Sequence, residues 1–456
     1  MKFNPHAYQE RAIRFVMTHP ACALFMDMGL GKSAVTLTAI DDLIGALEVG
    51  KVLVIAPKSV ALNTWSGECE KWDHLRHLRI SIVMGTPAQR RKALSADADI
   101  YVTNRDNVVW LVGEYVNTRT GRQLREWDFD TVVLDESSSF KNWQAKRYRA
   151  LARVRPFIRR IIELTGTPAP NGLMDLWAQV RLLDGGERLG RFITQYREKY
   201  FHPGAHNGSV VYEYLPNKGA KETIARKISD ICLSMQASDY LEMPAVMDGG
   251  MQLRMEGMDG YRKFEKDNIL ALPDGSELEA VTAVALTNKL LQYSSGAVYD
   301  SDHEWHRVDD TKLDAFCDLV EQTDEPVLVY YNYKHERERI LERHPEAVSF
   351  HGEPDILKDW NAGRIRLLLC HPASVAYGLN MQQGGHIIVW YSPTWNLELY
   401  QQANARLNRQ GQLKPIILYH LVCKDTMDEA VMQALRSKDS TQSVLMRYIN
   451  SKRSTN

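Results

Sequence analysis

The segment Met26-Asp27-Met28-Gly29-Leu30-Gly31-Lys32-Ser33 is a short turn with two glycines that ends in Gly-Lys-Ser and runs into an apolar-patterned stretch. Glycine accepts left-handed backbone, so successive N–H groups can converge on one centre, and a following helix adds the positive end of its dipole. The product is a phosphate cradle in which Lys32 reaches the β- and γ-phosphates of a nucleotide and the Ser33 hydroxyl ligates Mg2+. Met26 stands where the usual pattern has its first glycine, so a plain turn with a solvated lysine stays open until the flanking sequence is read.

Upstream, Pro5 to Ala12 leads into an amphipathic helix, and Gln9 has the bidentate amide that suits adenine. Downstream, Val52–Ala56, Ile100–Val102, Thr131–Leu134 and Ile161–Leu164 are short branched apolar runs separated by helical patterns. Such runs predict strands buried on both faces, hence a doubly wound α/β lobe with its functional loops at the strands' carboxyl ends. Asp135 and Glu136 follow the third run. A carboxylate leaving a buried strand beside a phosphate loop can hold Mg2+, and its neighbour can polarise the attacking water. Paired acids at a strand end are commonly only a solvated turn, but the apolar run before these favours the metal site. Leu164-Thr165-Gly166-Thr167-Pro168 follows the last strand, and its hydroxyls are expected to bond Asp135 and Glu136.

From about 172 to 240 the alternation stops, with helical patterns at Leu173–Leu183, Phe192–Tyr200 and Thr223–Met235 around a hairpin-like stretch near Gly204–Pro216. Residues 256–310 again read as helical, with a polar, weakly structured stretch at Tyr299–Asp310. A second strand series runs from Val327 to Tyr419 and has no glycine-lysine turn of its own. It offers Gln401 to Gln412, in which Arg406 and Arg409 are expected on one helix face as charged forks for phosphate. The expected domains are therefore 1–243, with an insertion at about 172–240, and 244–456, with an insertion at about 256–310.

At 456 residues the chain is too long for one core, and its formal charge of -1 excludes a global basic field for nucleic acid. Its six cysteines are scattered, which suits a reducing compartment, and neither His74 with His77 nor His303 with His306 has companion ligands for a structural metal. No signal-like or membrane-spanning run is present, so a cytoplasmic, membrane-free protein is expected.

The motifs together resemble superfamily 2 helicases, and within them the SWI/SNF-like DNA-translocating ATPases. Asp27 to Ser33 is similar to that group's nucleotide motif, where the position of Met26 is also not glycine. Tyr8-Gln9 resembles its glutamine motif, and Ala56-Pro57-Lys58 with Trp65, Glu68 and Trp72 its next block. Asp135-Glu136, Thr165 to Pro168, Gly378-Leu379-Asn380 and Gln402 to Gln412 resemble four more. Two departures stand out: Ser137-Ser138 replace the usual Ala-His, and Val375-Ala376 replace a glycine pair. The resemblance implies two RecA-like lobes with ATP between them, held by Tyr8, Gln9, Gly29, Leu30, Gly31, Lys32, Ser33 and Gly378. Mg2+ would sit at Ser33 and Asp135, with Glu136 activating water, Arg406 and Arg409 acting as arginine fingers, and Thr165, Thr167 and Gln402 coupling nucleotide state to motion. It further implies that Lys58, Thr103, Asn104, His351 and Ser374 contact DNA phosphates. The expected activity is ATP hydrolysis driving a monomeric motor along double-stranded or branched DNA, in a bacterial or viral setting. A strand-separating DNA or RNA helicase and a nucleotide-gated DNA-binding protein with little turnover are the alternatives.

Overall fold

A computed structural model of the chain describes residues 1–453 except 118, 119, 205, 208, 209, 212, 272–276, 281 and 376–378. Contacts divide it into two compact units, Met1–Leu241 with Lys438–Asn456, and Glu242–Ser437.

In the first unit, helix α1 (Ala7–Thr18) leads to strand β1 (Ala21–Met26), and α2 (Lys32–Gly45) follows the glycine turn. Then come β2 (Val52–Ala56), α3 (Lys58–Lys71), β3 (Ile80–Ile82), β4 (Ile100–Asn104), β5 (Thr131–Asp135), α4 (Lys146–Val154), β6 (Arg160–Thr165), α5 (Leu176–Asp184) and β7 (Cys232–Met235). The seven strands form one parallel sheet in the order β7-β1-β6-β5-β2-β4-β3. β2, β4 and β5 are buried along their whole lengths, as a parallel sheet covered by helices requires. Register brings the functional ends together: Phe25 lies opposite Thr165, and Asp135 opposite Leu164.

β7 corrects the expected helix Thr223–Met235. The helix ends at Ile228, and Cys232–Met235 runs extended and wholly buried beside β1. Its backbone satisfies the edge of β1, a long-range demand that local periodicity does not carry.

The second unit has β8 (Val246–Asp248), β9 (Met251–Leu253), β10 (Val327–Tyr330), β11 (Val348–Phe350), β12 (Leu367–Cys370), β13 (Ile387–Trp390) and β14 (Ile416–Cys423). Its parallel sheet runs β8-β14-β13-β10-β12-β11, with β9 also on β14. Two helices matter below, α6 (Leu397–Asn404) and α7 (Met427–Arg453). The stretch 256–310 is only partly helical. It includes two antiparallel hairpins, and one of them, Ala297–Tyr299 with Trp305–Arg307, occupies the stretch expected to be weakly structured.

The sequence division leaves 438–456 with the second lobe, whereas contacts place this segment with the first unit. The reason is packing at the end of α7: Leu445 and Met446 are buried in the first unit's core, and the Ser234 hydroxyl donates to the Met446 sulfur at 3.3 Å. No helix among the described residues is long and apolar enough to cross a membrane.

Candidate nucleotide site

Between β1 and α2 the backbone turns through left-handed conformation twice, at Gly29 (φ 85°) and at Gly31 (φ 81°). The N–H groups of Gly29, Leu30, Gly31, Lys32 and Ser33 consequently donate to no described residue. At the positive end of a helix such a row is an anion site. The Lys32 ammonium folds back onto the loop, donating to the carbonyls of Met26 at 2.8 Å and Asp27 at 3.3 Å. Gly31 also leaves room for Gln9, since a Cβ there would lie 2.7 Å from the Gln9 amide nitrogen.

Gln9 is therefore seated on the turn. Its Nε2 donates to the Leu30 carbonyl at 3.2 Å, and its Oε1 accepts the His6 N–H at 3.0 Å. A primary amide has two donors and two lone pairs, so one of each remains for an adenine edge. Tyr8 is buried against Tyr240, ring centres 4.9 Å apart, a partner the sequence did not suggest. Asp27, inside the motif but given no role from sequence, ties the turn to the end of β7 by accepting the Ala237 N–H at 2.9 Å. Burial pushes its carboxyl up, and the charges of Asp239 and Asp439 add to this.

At the end of β5, Asp135 is buried. Its Oδ2 accepts from the Trp65 indole at 3.1 Å, and its Oδ1 accepts the Glu136 N–H at 3.1 Å. Burial raises its carboxyl above the ordinary value, while the Lys32 charge and the two donors pull the other way. Ser33, half-buried at the helix start, is the matching hydroxyl. One carboxylate and one hydroxyl suit Mg2+, which keeps most of its waters and binds nucleotide oxygens, better than a metal needing a full protein cage. No cluster of three or more His, Cys, Asp or Glu that could hold a metal exists among the described residues.

Glu136 adopts left-handed backbone (φ 52°), uncommon for a residue with a Cβ. The expected bonds from Thr165 and Thr167 to the acids are not made. Thr165 Oγ1 accepts the Thr167 N–H at 3.0 Å, and Thr167 Oγ1 is buried without a partner. The two loops are linked through Ser137 instead. Its hydroxyl donates to Gln179 Oε1 at 2.9 Å, and Gln179 Nε2 donates to the carbonyls of Pro168 at 2.8 Å and Asp175 at 2.9 Å. Ser137 and Gln179 are wholly buried. The hydroxyls turn inward because the loop passes close under the phosphate turn: a Cβ on Gly166 would lie 3.3 Å from the Met26 carbonyl. Gln442, in the second half of α7, donates to the Gly166 carbonyl at 3.4 Å.

In the second unit α6 ends at Asn404, so Arg406 and Arg409 are not on a helix face as expected; they lie in the turns beyond it. They converge nonetheless on one acceptor, the Leu379 carbonyl, from Arg406 Nη1 at 2.9 Å and Arg409 Nη1 at 3.3 Å. Arg406 is buried and also donates from Nε to the Gln402 carbonyl at 3.0 Å. Arg409 is half-buried, and burial alone pulls its guanidinium down from the ordinary value. Gln402 is buried, its amide donating to Glu398 at 3.3 Å. Gly378 lies outside the described residues.

The five expected DNA contacts divide. Lys58, at the start of α3, and His351 are exposed. Thr103 is wholly buried with its hydroxyl on the Val83 carbonyl at 2.9 Å, which removes it from any direct contact. Asn104 is nearly buried and accepts the Asn107 N–H at 3.2 Å, and the Ser374 hydroxyl donates to the His371 carbonyl at 2.7 Å. β4 is buried on both faces, so no side chain along it, Thr103 included, faces solvent.

Comparison with known proteins bears on these features directly. Residues 8–234 match the SNF2-related domain and residues 311–411 the helicase conserved C-terminal domain. The chain is 37% identical to putative protein p41 of Acyrthosiphon pisum secondary endosymbiont phage 1, over 99% of both chains. It belongs to the SNF2-related ATPases of helicase superfamily 2. It is accordingly an ATP-hydrolysing enzyme with two RecA-like lobes. Chromatin structure-remodeling complex subunit snf21 of Schizosaccharomyces pombe is 24% identical over 94% of this chain, which spans only 38% of that protein. A Sulfolobus solfataricus SWI2/SNF2 ATPase core solved in complex with dsDNA aligns over 98% of this chain and 94% of its own at 20% identity, with a TM-score of 0.46, too loose to carry weight. The SNF2-related match covers the glycine turn, both acids and the Ser137–Gln179 link.

Proposed function

We propose that this SNF2-related ATPase is a DNA-stimulated motor that translocates on duplex DNA without obligatory strand separation. The observation that carries the reading is the row of unpartnered N–H groups from Gly29 to Ser33, with Lys32 and the acids Asp135 and Glu136 at the adjoining strand ends. In this reading Gln9 holds adenine, Lys32 the β- and γ-phosphates, Ser33 and Asp135 the Mg2+, and Glu136 the attacking water. Of the two arginines, Arg409 is the better finger, because it is half-buried with one bond, to Leu379, whereas Arg406 is buried and bonded to both Leu379 and Gln402. Lys58 and His351, both exposed, are the preferred phosphate contacts.

ATP turnover measured with single-stranded, duplex and branched DNA and with RNA tests the substrate. Strongest stimulation by RNA would overturn it. Displacement of a triplex strand with little unwinding of a forked duplex is the expected motor signature, and robust unwinding would overturn translocation without separation. Hydrolysis no greater than that of Lys32→Ala or Glu136→Gln would remove the assigned site.

A further inference from the structure

From Ser137 to Ile162 the chain has no acidic residue and eight cations, although Lys and Arg total 56 against 57 Asp and Glu in the whole sequence. Three of the eight are used internally. Arg155 and Arg160 bond main-chain carbonyls, among them Leu183 at 2.8 Å and Val16 at 2.6 Å, and Lys141 lies 3.7 Å from Asp175. Others line α4. That helix buries Tyr148, Leu151 and Val154 and exposes Lys146, Arg149 and Arg153. Spacings of three and four residues put the three cations on one face. None of them makes a side-chain hydrogen bond or ion pair with a described residue, whereas exposed cations such as Arg79, Arg91 and Lys414 all have acidic partners. A solvated helix face normally carries acids as well.

The start of α4 shows the same imbalance. Arg147 Nη1 is 4.0 Å from Asp106, just beyond the end of β4, while Arg147 Nε is buried without a hydrogen-bond partner. Burial and the charge of Arg105 both pull the Arg147 guanidinium down. The row therefore starts beside the carboxyl edge of the sheet, at Asp106, and leads away along α4.

We propose that Lys146, Arg149 and Arg153 form a second seat for duplex DNA backbone, on the flank of the first unit and separate from contacts made at the strand ends. The inference rests on the reading of the protein as a DNA motor. Seven residues of helix span about 10.5 Å, and duplex DNA carries one charge per roughly 1.7 Å of axis, so each cation meets a phosphate without sequence preference. A motor seated in this way holds DNA that bends past its track, or the second arm of a branched substrate.

The test is the salt dependence of duplex DNA binding by the full chain, comparing the unaltered protein with the triple variant Lys146→Gln, Arg149→Gln, Arg153→Gln. Loss of three phosphate contacts should make the slope of log K against log salt shallower by about 2.7 and weaken binding by at least roughly tenfold at low salt. Melting temperature and DNA-free ATP turnover should not change, because all three side chains are exposed and none bonds the phosphate turn, the acids or the Thr165–Pro168 loop. Unchanged affinity and slope in the variant would overturn the inference and leave the motor reading standing. That outcome would also be met if the row serves an acidic protein. A loss confined to duplex RNA would overturn DNA as the occupant. Failure of the unaltered protein to bind any DNA would overturn the motor reading, and this inference with it.

Discussion

Replacing Gln179 by Leu should uncouple Glu136, the proposed general base, from the loop beneath the phosphate turn. The substitution roughly conserves volume but removes the amide that joins Ser137 to Pro168. A wholly buried hydroxyl and a carbonyl then lose their partner, at about 1 to 3 kcal/mol for each orphan. The expected total is about 2 to 6 kcal/mol, or roughly 4 to 24 °C in melting temperature for a unit of this size. Adding Ser137→Ala removes one of the orphans, so the double variant should regain about 1 to 2 kcal/mol over Gln179→Leu alone. Turnover should not recover with it. Glu136 sits in left-handed backbone one residue before Ser137, so loss of the bridge loosens the segment that carries it. Misplacement by about 1 Å can lower the rate on the order of a hundredfold. Melting curves with nucleotide-saturated turnover, measured well below the melting point, separate the two effects. Full turnover in Gln179→Leu, or a double variant no more stable than the single, would refute the argument.

Three other perturbations have defined outcomes. If Asp135 holds Mg2+ as proposed, Trp65→Phe, which removes a donor to its carboxylate, raises that carboxyl further, moves the acid limb of the pH–rate profile to higher pH, and increases the apparent Mg2+ requirement several-fold, readable in a Mg2+ titration of turnover. Glu163 is wholly buried in β6 with neither carboxylate oxygen partnered, and burial holds its carboxyl well above the ordinary range. The folded state thus keeps a proton that the unfolded chain releases above about pH 4.3, and stability falls as pH rises through that window. Glu163→Leu should accordingly stabilise by about 1 to 3 kcal/mol, with a larger gain in melting temperature at pH 8 than at pH 5. Lys312 and Asp428 are 2.6 Å apart and essentially unexposed, so Lys312→Ala, which leaves the buried Asp428 charge with only the Ser294 hydroxyl and the Cys423 N–H, should cost about 3 to 5 kcal/mol by chemical denaturation.

What the sequence discloses about this fold follows from how local each signal is. The glycine turn, the apolar runs that became β2, β4, β5 and β6, and the acids after β5 are contiguous, and each is found where its own neighbours put it. β7 was missed because its four residues are strand only by virtue of β1 beside them. Trp65 and Gln179 were invisible as positioning groups because their partners, Asp135 and Ser137, lie 70 and 42 residues away. A further signal was present but unused: Ser137 departs from the family's alanine, and a hydroxyl placed there needs a partner once it is buried. The arginine pair shows the opposite case: the two side chains do converge, on the Leu379 carbonyl, although the helical geometry that paired them in the sequence does not hold.

The end of α7 has a consequence for how the protein is made. The first unit is discontinuous: Ser234 and Met446, in contact, are separated by 212 residues, and Leu445 and Met446 complete a core whose other members all precede residue 233. During synthesis that core stays open until the whole second unit has left the ribosome, and long-range closure of this kind is slow. A chain stopped after residue 437 would carry every residue assigned to the proposed nucleotide site and still present an apolar gap where Leu445 and Met446 pack.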